Sequence, residues 1–376
     1  MLQTRLFQIK TVLLLFFFRI ISMFLPKASY WVICERGTDA RDNGWHFYRY
    51  LKEKHSKQKI FYIIDPKSVD YEKVKTDAVS YGSLKNYWVV ARAEKLISTH
   101  VAKFVPYLGG KTKNFFPWIE DRFYFLQHGV ISASLEFLYR KNVKMNLFVC
   151  GAKPECDFIR ETFGHAKEVV QYTGLARYDA LRNAPVRNQI LVMPTWRLYL
   201  RSKSEFLDSD YYRQWQGVLD DPILKKMLRE NGYRLIFYPH HEVQKYLDCF
   251  SSDCDEIEIA SFSEYDIQSL LKESRLLITD FSSVYFDFAY MCKPILYFHF
   301  DVDSFFSKHH ARGYFSFADD GFGKVCECKD DLIFEIQKLF ERNMKSEACY
   351  IERINRFFPL RDTNNCERIY EQINRS

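Results

Sequence analysis

Three segments carry residue types whose spacing suits phosphate chemistry. The sharpest is Thr279-Asp280-Phe281-Ser282-Ser283-Val284-Tyr285-Phe286-Asp287, where an apolar run ends and an amphipathic helix is predicted to begin. Ser282 or Ser283 is expected as its N-cap. Free amides, a helix dipole and two hydroxyls at such a point bind phosphate; a simple cap without a ligand explains the same pattern. Asp287, on the first turn, either takes a ribose hydroxyl or complements the dipole. His128 sits in Gln127-His128-Gly129, past the apolar stretch 122–126 and before a glycine that permits close approach. An imidazole there suits a general base near neutral pH, against the commoner structural histidine. His240, in Tyr238-Pro239-His240-His241, also follows a strand end. A pair of histidines from two domains would supply one base and one stabiliser of phosphate charge. Arg197, after Pro194-Thr195-Trp196, and Arg177, within 173–179, read as phosphate ligands or interdomain ion pairs. His309-His310 reads as a polar loop, and Arg312-Gly313 beyond it suits a phosphate clamp. Asp301-Val302-Asp303 matches a metal-holding D-x-D only as an isolated triplet. Neither a dinucleotide GxGxxG, a P-loop nor a GxSxG elbow occurs.

These residues need elements to hold them at strand ends. Predicted strands at 30–34, 59–64, 79–81, 95–99, 122–126 and 146–150 alternate with helices, and the pattern restarts near 186. Further strands are expected at 189–193, 233–238, 275–279 and 294–300, with helices over 211–230, 265–273 and 284–292. That alternation predicts parallel α/β sheets. Two such domains in tandem describe a two-lobed fold whose polar strand ends face a central cleft. Expected divisions are an interfacial helix at 1–27, an acceptor domain at 28–185 and a donor domain at 186–345. The C-terminal helices, 346–376, are expected to return to the first domain.

The chain has 376 residues, 47% hydrophobic and 27% charged, which excludes disorder and fits two domains. Net charge is 54 minus 48, or +6, too mild for a nucleic-acid binder but compatible with an anionic membrane surface. Ten irregularly spaced cysteines read as reduced thiols of a cytosolic protein, and the tight pair Cys326/Cys328 lacks further zinc ligands. Residues 11–25, TVLLLFFFRIISMFL, form an apolar stretch broken by Arg19. It is short for a span and is expected to lie in the membrane interface.

Together the motifs resemble those of the CDP-glycerol glycerophosphotransferase family, which makes teichoic-acid and capsule polymers. The matching segments, in order, are Asp42-Asn43-Gly44, Gln127-His128-Gly129, Thr173-Gly174 through Asp179, Pro194 through Arg197 and Pro239-His240. Thr279 through Asp287, Lys293-Pro294-Ile295 and Arg312-Gly313-Tyr314 complete the set. The resemblance implies a GT-B fold of two Rossmann-like domains with the donor in the cleft. It implies transfer of an alditol phosphate from CDP-glycerol, or another CDP-alditol, to a hydroxyl, with release of CMP. His128 is implied as the base and His240 as a stabiliser of donor phosphates. Ser282, Ser283 and Arg312, with Thr279, Asp280, Asp287 and Arg197, are implied at the donor. Asp42, Asn43, Gly129 and Arg177 fall on the acceptor or interdomain side. The family often has proline where His241 stands. No metal ligand and no firm cofactor is implied, with Mg²⁺ left open. The acceptor is expected to be a lipid-linked glycan or polyol-phosphate chain at the cytoplasmic membrane face. Two alternatives fit the same pattern. One is a GT-B glycosyltransferase using a nucleotide sugar. The other is an inactive scaffold, disfavoured because the polar strand ends are intact.

Overall fold

The computed structural model describes residues 2–101, 103–107, 116–181, 185–308 and 313–375. It divides into two compact units. One comprises Met1–Val130, Leu135–Ala180 and Asp362–Ser376; the other comprises Ile131–Ser134 and Leu181–Arg361.

The first unit is built on seven strands: β1 (Tyr30–Cys34), β2 (Lys59–Ile64), β3 (Ala78–Ser80), β4 (Lys95–Ser98), β5 (Phe123–Phe125), β6 (Leu147–Cys150) and β7 (Val170–Tyr172). They pair in the order β3-β2-β1-β4-β5-β6-β7, all parallel. Every residue of β1, β4, β5 and β6 is buried, as a parallel sheet covered on both faces requires. β1 pairs with β2 on one side and β4 on the other, so the winding reverses there. A ligand crevice is expected at the C-terminal ends of that strand pair. The helices are α1 (Leu2–Met23), α2 (Asn43–Lys54), α3 (Leu84–Arg92), α4 (Pro117–Glu120) and α5 (Lys153–Thr162).

α1 is longer than the apolar stretch suggested, at 22 residues. One stripe docks on α3: Leu15 is buried, the Thr11 hydroxyl donates to the Pro106 carbonyl at 2.9 Å, and Phe18 meets Trp88. Much of its remaining described apolar surface is open, with Leu13 64% and Phe17 56% exposed. Leu6–Met23 has the length and hydropathy of a membrane span, with 11% of it buried.

The second unit repeats the plan with β8 (Gln189–Met193), β9 (Arg234–Phe237), β10 (Ile257–Ile259), β11 (Leu276–Thr279), β12 (Ile295–Phe298) and β13 (Gly323–Cys326). The order is β10-β9-β8-β11-β12-β13, again parallel, with the reversal between β8 and β11. Its helices are α6 (Lys203–Leu207), α7 (Asp210–Leu219), α8 (Pro222–Asn231), α9 (Ile267–Glu273), α10 (Val284–Tyr290), α11 (Val302–Lys308), α12 (Lys329–Glu341) and α13 (Ala348–Phe357). The helix expected over 211–230 is two. Asp221 caps α8, accepting from the Ile223 and Leu224 amides, and Pro222 starts it. α14 (Asn365–Arg375) returns to the first unit, whereas α13 stays with the second; the expectation had sent both back.

Candidate active site

In the first unit the site grows from the end of β5. Gln127 adopts a left-handed φ of +62°, rare outside glycine and characteristic of over-determined functional turns. Its side chain is buried and donates to Glu155 Oε1 at 3.1 Å, anchoring the turn so that His128 projects outward. His128 Nδ1 lies 2.5 Å from Asp42 Oδ2, and Arg177 Nη1 lies 2.8 Å from Asp42 Oδ1. Arg177 also donates to the His128 carbonyl. Asn43 Oδ1 accepts the Arg177 amide at 3.0 Å, and Asn43 Nδ2 donates to the Gln127 carbonyl at 2.9 Å. Five residues expected from distant segments (Asp42, Asn43, His128, Gly129, Arg177) thus meet at one turn.

The electrostatics follow. Burial alone would raise the Asp42 carboxyl, but the His128 ring and the Arg177 guanidinium outweigh it and hold it well below the usual carboxylate range. A carboxylate against Nδ1 makes that nitrogen the donor and leaves the Nε2 lone pair outward, with the side chain 59% exposed. Arg36 Nη2 stands 3.4 Å from that Nε2. Arg36 Nε donates to His100 Nε2 at 3.1 Å, and the opposite nitrogen of His100 meets the Thr99 hydroxyl at 2.8 Å. Burial, with the neighbouring His128 and Arg36, pushes His100 down to about 3, so it is neutral.

Glu35, just past β1, is buried and accepts the amides of Arg41, Asp42 and Trp45 at 3.1, 3.0 and 2.8 Å. This shapes the turn that presents Asp42 at the start of α2. A Cβ on Gly44 would stand 2.9 Å from Glu35 Cγ, which explains the glycine after Asp42-Asn43. Gly174 has φ +78°, and a Cβ there would fall 1.8 Å from Asn365 Oδ1. Asp179 accepts the Asn365 and Cys366 amides at 2.9 and 2.8 Å, closing the N-terminus of α14. The 173–179 segment therefore both locks α14 and aims Arg177.

In the second unit, Arg197 departs from the expectation. Its side chain has no exposure, pairs with Asp280 at 2.9 Å and grips Asp301 through two bonds of 2.7 and 2.9 Å. It is a brace, and Asp301 is engaged by it rather than open to a metal. Asp280 also accepts the Thr195 amide at 2.8 Å, and the Thr279 hydroxyl donates to the Met193 carbonyl at 2.7 Å. Thr279 and Asp280 are fully buried, so they too fasten strand ends instead of reaching a ligand. Lys293 donates to the carbonyls of Leu271 and Ser274 at 3.1 and 2.8 Å, capping the C-terminus of α9. A Cβ on Gly313 would meet the Ser132 carbonyl at 2.0 Å.

What this platform presents is His240, Ser282 and Ser283. The His240 amide donates to Pro194 at 3.1 Å, its ring stacks on Trp196 at 6.0 Å, and its Nδ1 accepts the Glu242 amide at 3.3 Å. His240 is half-buried; His241 is exposed and lies 3.3 Å from Glu242. Ser283 precedes α10 with helical φ and ψ and makes no side-chain cap, contrary to expectation. Both serine hydroxyls are without a partner among the described residues. Asp287 is buried on the first turn of α10. Arg312, with His309 and His310, lies outside the described residues. No cluster of three or more metal-ligating side chains occurs among the described residues. Sequence reasoning missed Glu35, Arg36 and His100; their only sequence signal was position just past the ends of β1 and β4.

Comparison with known proteins places these features. The chain is 31% identical over 360 residues, 91% of its length, to the minor teichoic acid biosynthesis protein GgaB of Bacillus subtilis (strain 168), of which it covers 39%. It is 27% identical over 188 residues to the teichoic acid poly(glycerol phosphate) polymerase of the same organism, 49% of this chain and 23% of that protein. The chain therefore spans well under half the length of these two relatives. Among solved structures, the wall teichoic acid polymerase TagF matches with a TM-score of 0.71 at 17% identity, over 100% of this chain and 97% of that one. A putative UDP-N-acetylglucosamine 2-epimerase from Listeria monocytogenes matches at 0.56 and 13%, over 91% of this chain and 95% of that one. Those likenesses show the fold, an α/β architecture of the GT-B type. A family model for CDP-Glycerol:Poly(glycerophosphate) glycerophosphotransferase matches residues 15–375, and the chain belongs to that family.

Proposed function

We propose that the chain transfers glycerol phosphate, or a related alditol phosphate, from CDP-glycerol to a hydroxyl of a membrane-linked acceptor or growing polymer, in teichoic acid or capsule synthesis. The observation that carries this is the Arg177–Asp42–His128 chain, which turns Nε2 of His128 outward, beside Arg36. His128 takes the proton of the acceptor hydroxyl as that oxygen attacks the β-phosphorus of the donor. The bond from β-phosphorus to the bridging oxygen breaks, and CMP leaves with that oxygen. A loose phosphoryl transition state asks mainly for positioning and charge stabilisation. His240 and the two serine hydroxyls supply donors for the diphosphate, and Asp287 is assigned to the ribose. Mg²⁺ dependence is read by assaying with and without chelator. The open apolar face of α1 supports residence on the cytoplasmic membrane surface.

The test is nucleotide release. Purified protein is incubated with CDP-glycerol, CDP-ribitol, UDP-sugars and GDP-sugars and a glycerol-phosphate-ended acceptor. CMP is expected from one CDP-alditol, and none above background from His128→Ala. UDP or GDP release would make the protein a glycosyltransferase instead.

A further inference from the structure

A cavity of about 300 Å³ opens at the C-terminal ends of β8 and β9, lined wholly by residues of the second unit. Its floor is aromatic: Phe206 and Tyr246 stack at 4.6 Å, and Tyr211 closes the base. Its rim carries Arg201 and Lys245, both exposed. Neither forms an ion pair within 4 Å among the described residues; Arg201 feels the nearby Glu205 carboxylate, and Lys245 Nζ lies 4.9 Å over the Tyr246 ring. Neighbouring cations are paired: Lys203 with Asp248, Arg213 with Asp210, Lys225 with Asp253. The acid on the lining, Glu242, lies 3.3 Å from His241. Trp196 forms one wall, and its ring is also the surface on which His240 stacks.

An aromatic floor beneath two exposed cations that no carboxylate clamps in a close ion pair suits a ligand with a carbon backbone and a single anionic group per short repeat. A polyol phosphodiester has that make-up: methylenes for the rings and one phosphate for the cations. The serines assigned to the donor diphosphate follow β11, on another strand. We propose that this cavity is a subsite for a phosphodiester unit of the acceptor chain, next to the wall that holds His240. The assignment of an acceptor chain rests on the phosphoalditol-transfer reading; the site itself does not.

The probe is a synthetic glycerol-phosphate trimer linked by phosphodiesters. Calorimetric titration compares the wild type with the double variant Arg201→Gln/Lys245→Gln. Both positions are exposed, so an unchanged melting temperature serves as the folding control. Trimer binding is expected to weaken at least about tenfold in the variant. The KM for trimer as acceptor should rise to match, with the KM for CDP-glycerol unmoved. Equal trimer binding by both proteins, or none by the wild type, overturns the subsite. A variant that loses CDP-glycerol and keeps the trimer assigns the cavity to the donor and overturns it too. Trimer binding that needs Arg201 and Lys245, without CMP release from any donor, leaves the subsite standing and removes the transferase reading.

Discussion

In the proposed transfer His128 serves as the base, and two other residues orient its ring. Asp42 fixes the donor nitrogen, and Arg177 fixes Asp42. His128→Ala is expected to lower kcat by about 10²–10⁴-fold. Asp42→Asn should cost on the order of 10²-fold in kcat with little change in donor KM, because it disturbs the tautomer and not the donor site. Steady-state CMP release measures both, and an unaffected Asp42→Asn would break the dyad argument. His100 supplies a pH test. The unfolded ring takes a proton near pH 6.5, and the folded ring holds off until about pH 3. The unfolded state binds more protons in that window, so stability falls as pH drops through it. His100→Gln is expected to show a shallower loss of urea midpoint between about pH 6.5 and pH 4. Parallel curves for variant and wild type would refute the buried neutral ring. Arg197 is the opposite kind of residue. Removing it leaves Asp280 and Asp301 without their cation, so Arg197→Met should destabilise by about 3–5 kcal/mol in denaturant titration. From sequence, a brace and a phosphate ligand looked alike, since both put arginine at a strand end.

At the scale of elements, alternation of period marked the long buried strands, and these appear close to their expected limits. β7, β10 and β13 escaped notice. They are three or four residues each, at or near sheet edges, and half-exposed, so no apolar run announces them. The expected helix over 211–230 ran through the break between α7 and α8, although Asp220-Asp221-Pro222 signals it, because a proline with an acid before it starts a helix more readily than it continues one. α14 depends on Gly174. A side chain there meets Asn365 and strains a left-handed backbone, so Gly174→Ala is expected to lower the melting temperature and lose about 1–3 kcal/mol. α1 is docked by one stripe only. Deleting residues 1–27 should abolish co-sedimentation with anionic vesicles while leaving both sheets intact. Undiminished sedimentation would take the membrane role from this helix.

For the whole molecule, two sheets with separate cores predict unfolding that is not two-state. CDP-glycerol should raise the melting of the second unit in scanning calorimetry, by about 2.7 kcal/mol of stabilisation at a hundredfold excess over Kd. A shift confined to the first unit would move the donor site there. The high aromatic content also finds its place at this scale. Tyr285, Phe315, Phe322 and Phe357 form one cluster of tilted and edge-to-face rings drawn from α10, the 313–322 segment and α13. By itself the sequence determined the α/β class, the two-domain plan and the family, since periodicity and ordered strand-end motifs are local properties. It also singled out His128 and His240. Only the tertiary structure decided which motif residues face outward. Asp42, His128 and Arg177 lie 49 to 135 residues apart and meet because β1, β5 and β7 end on the same side of one parallel sheet. Arg197 and Asp280 are likewise motif residues, yet β8 and β11 are neighbours whose ends bury them against each other. Burial and charge pairing depend on which strands adjoin, and adjacency is not written in any local stretch of chain.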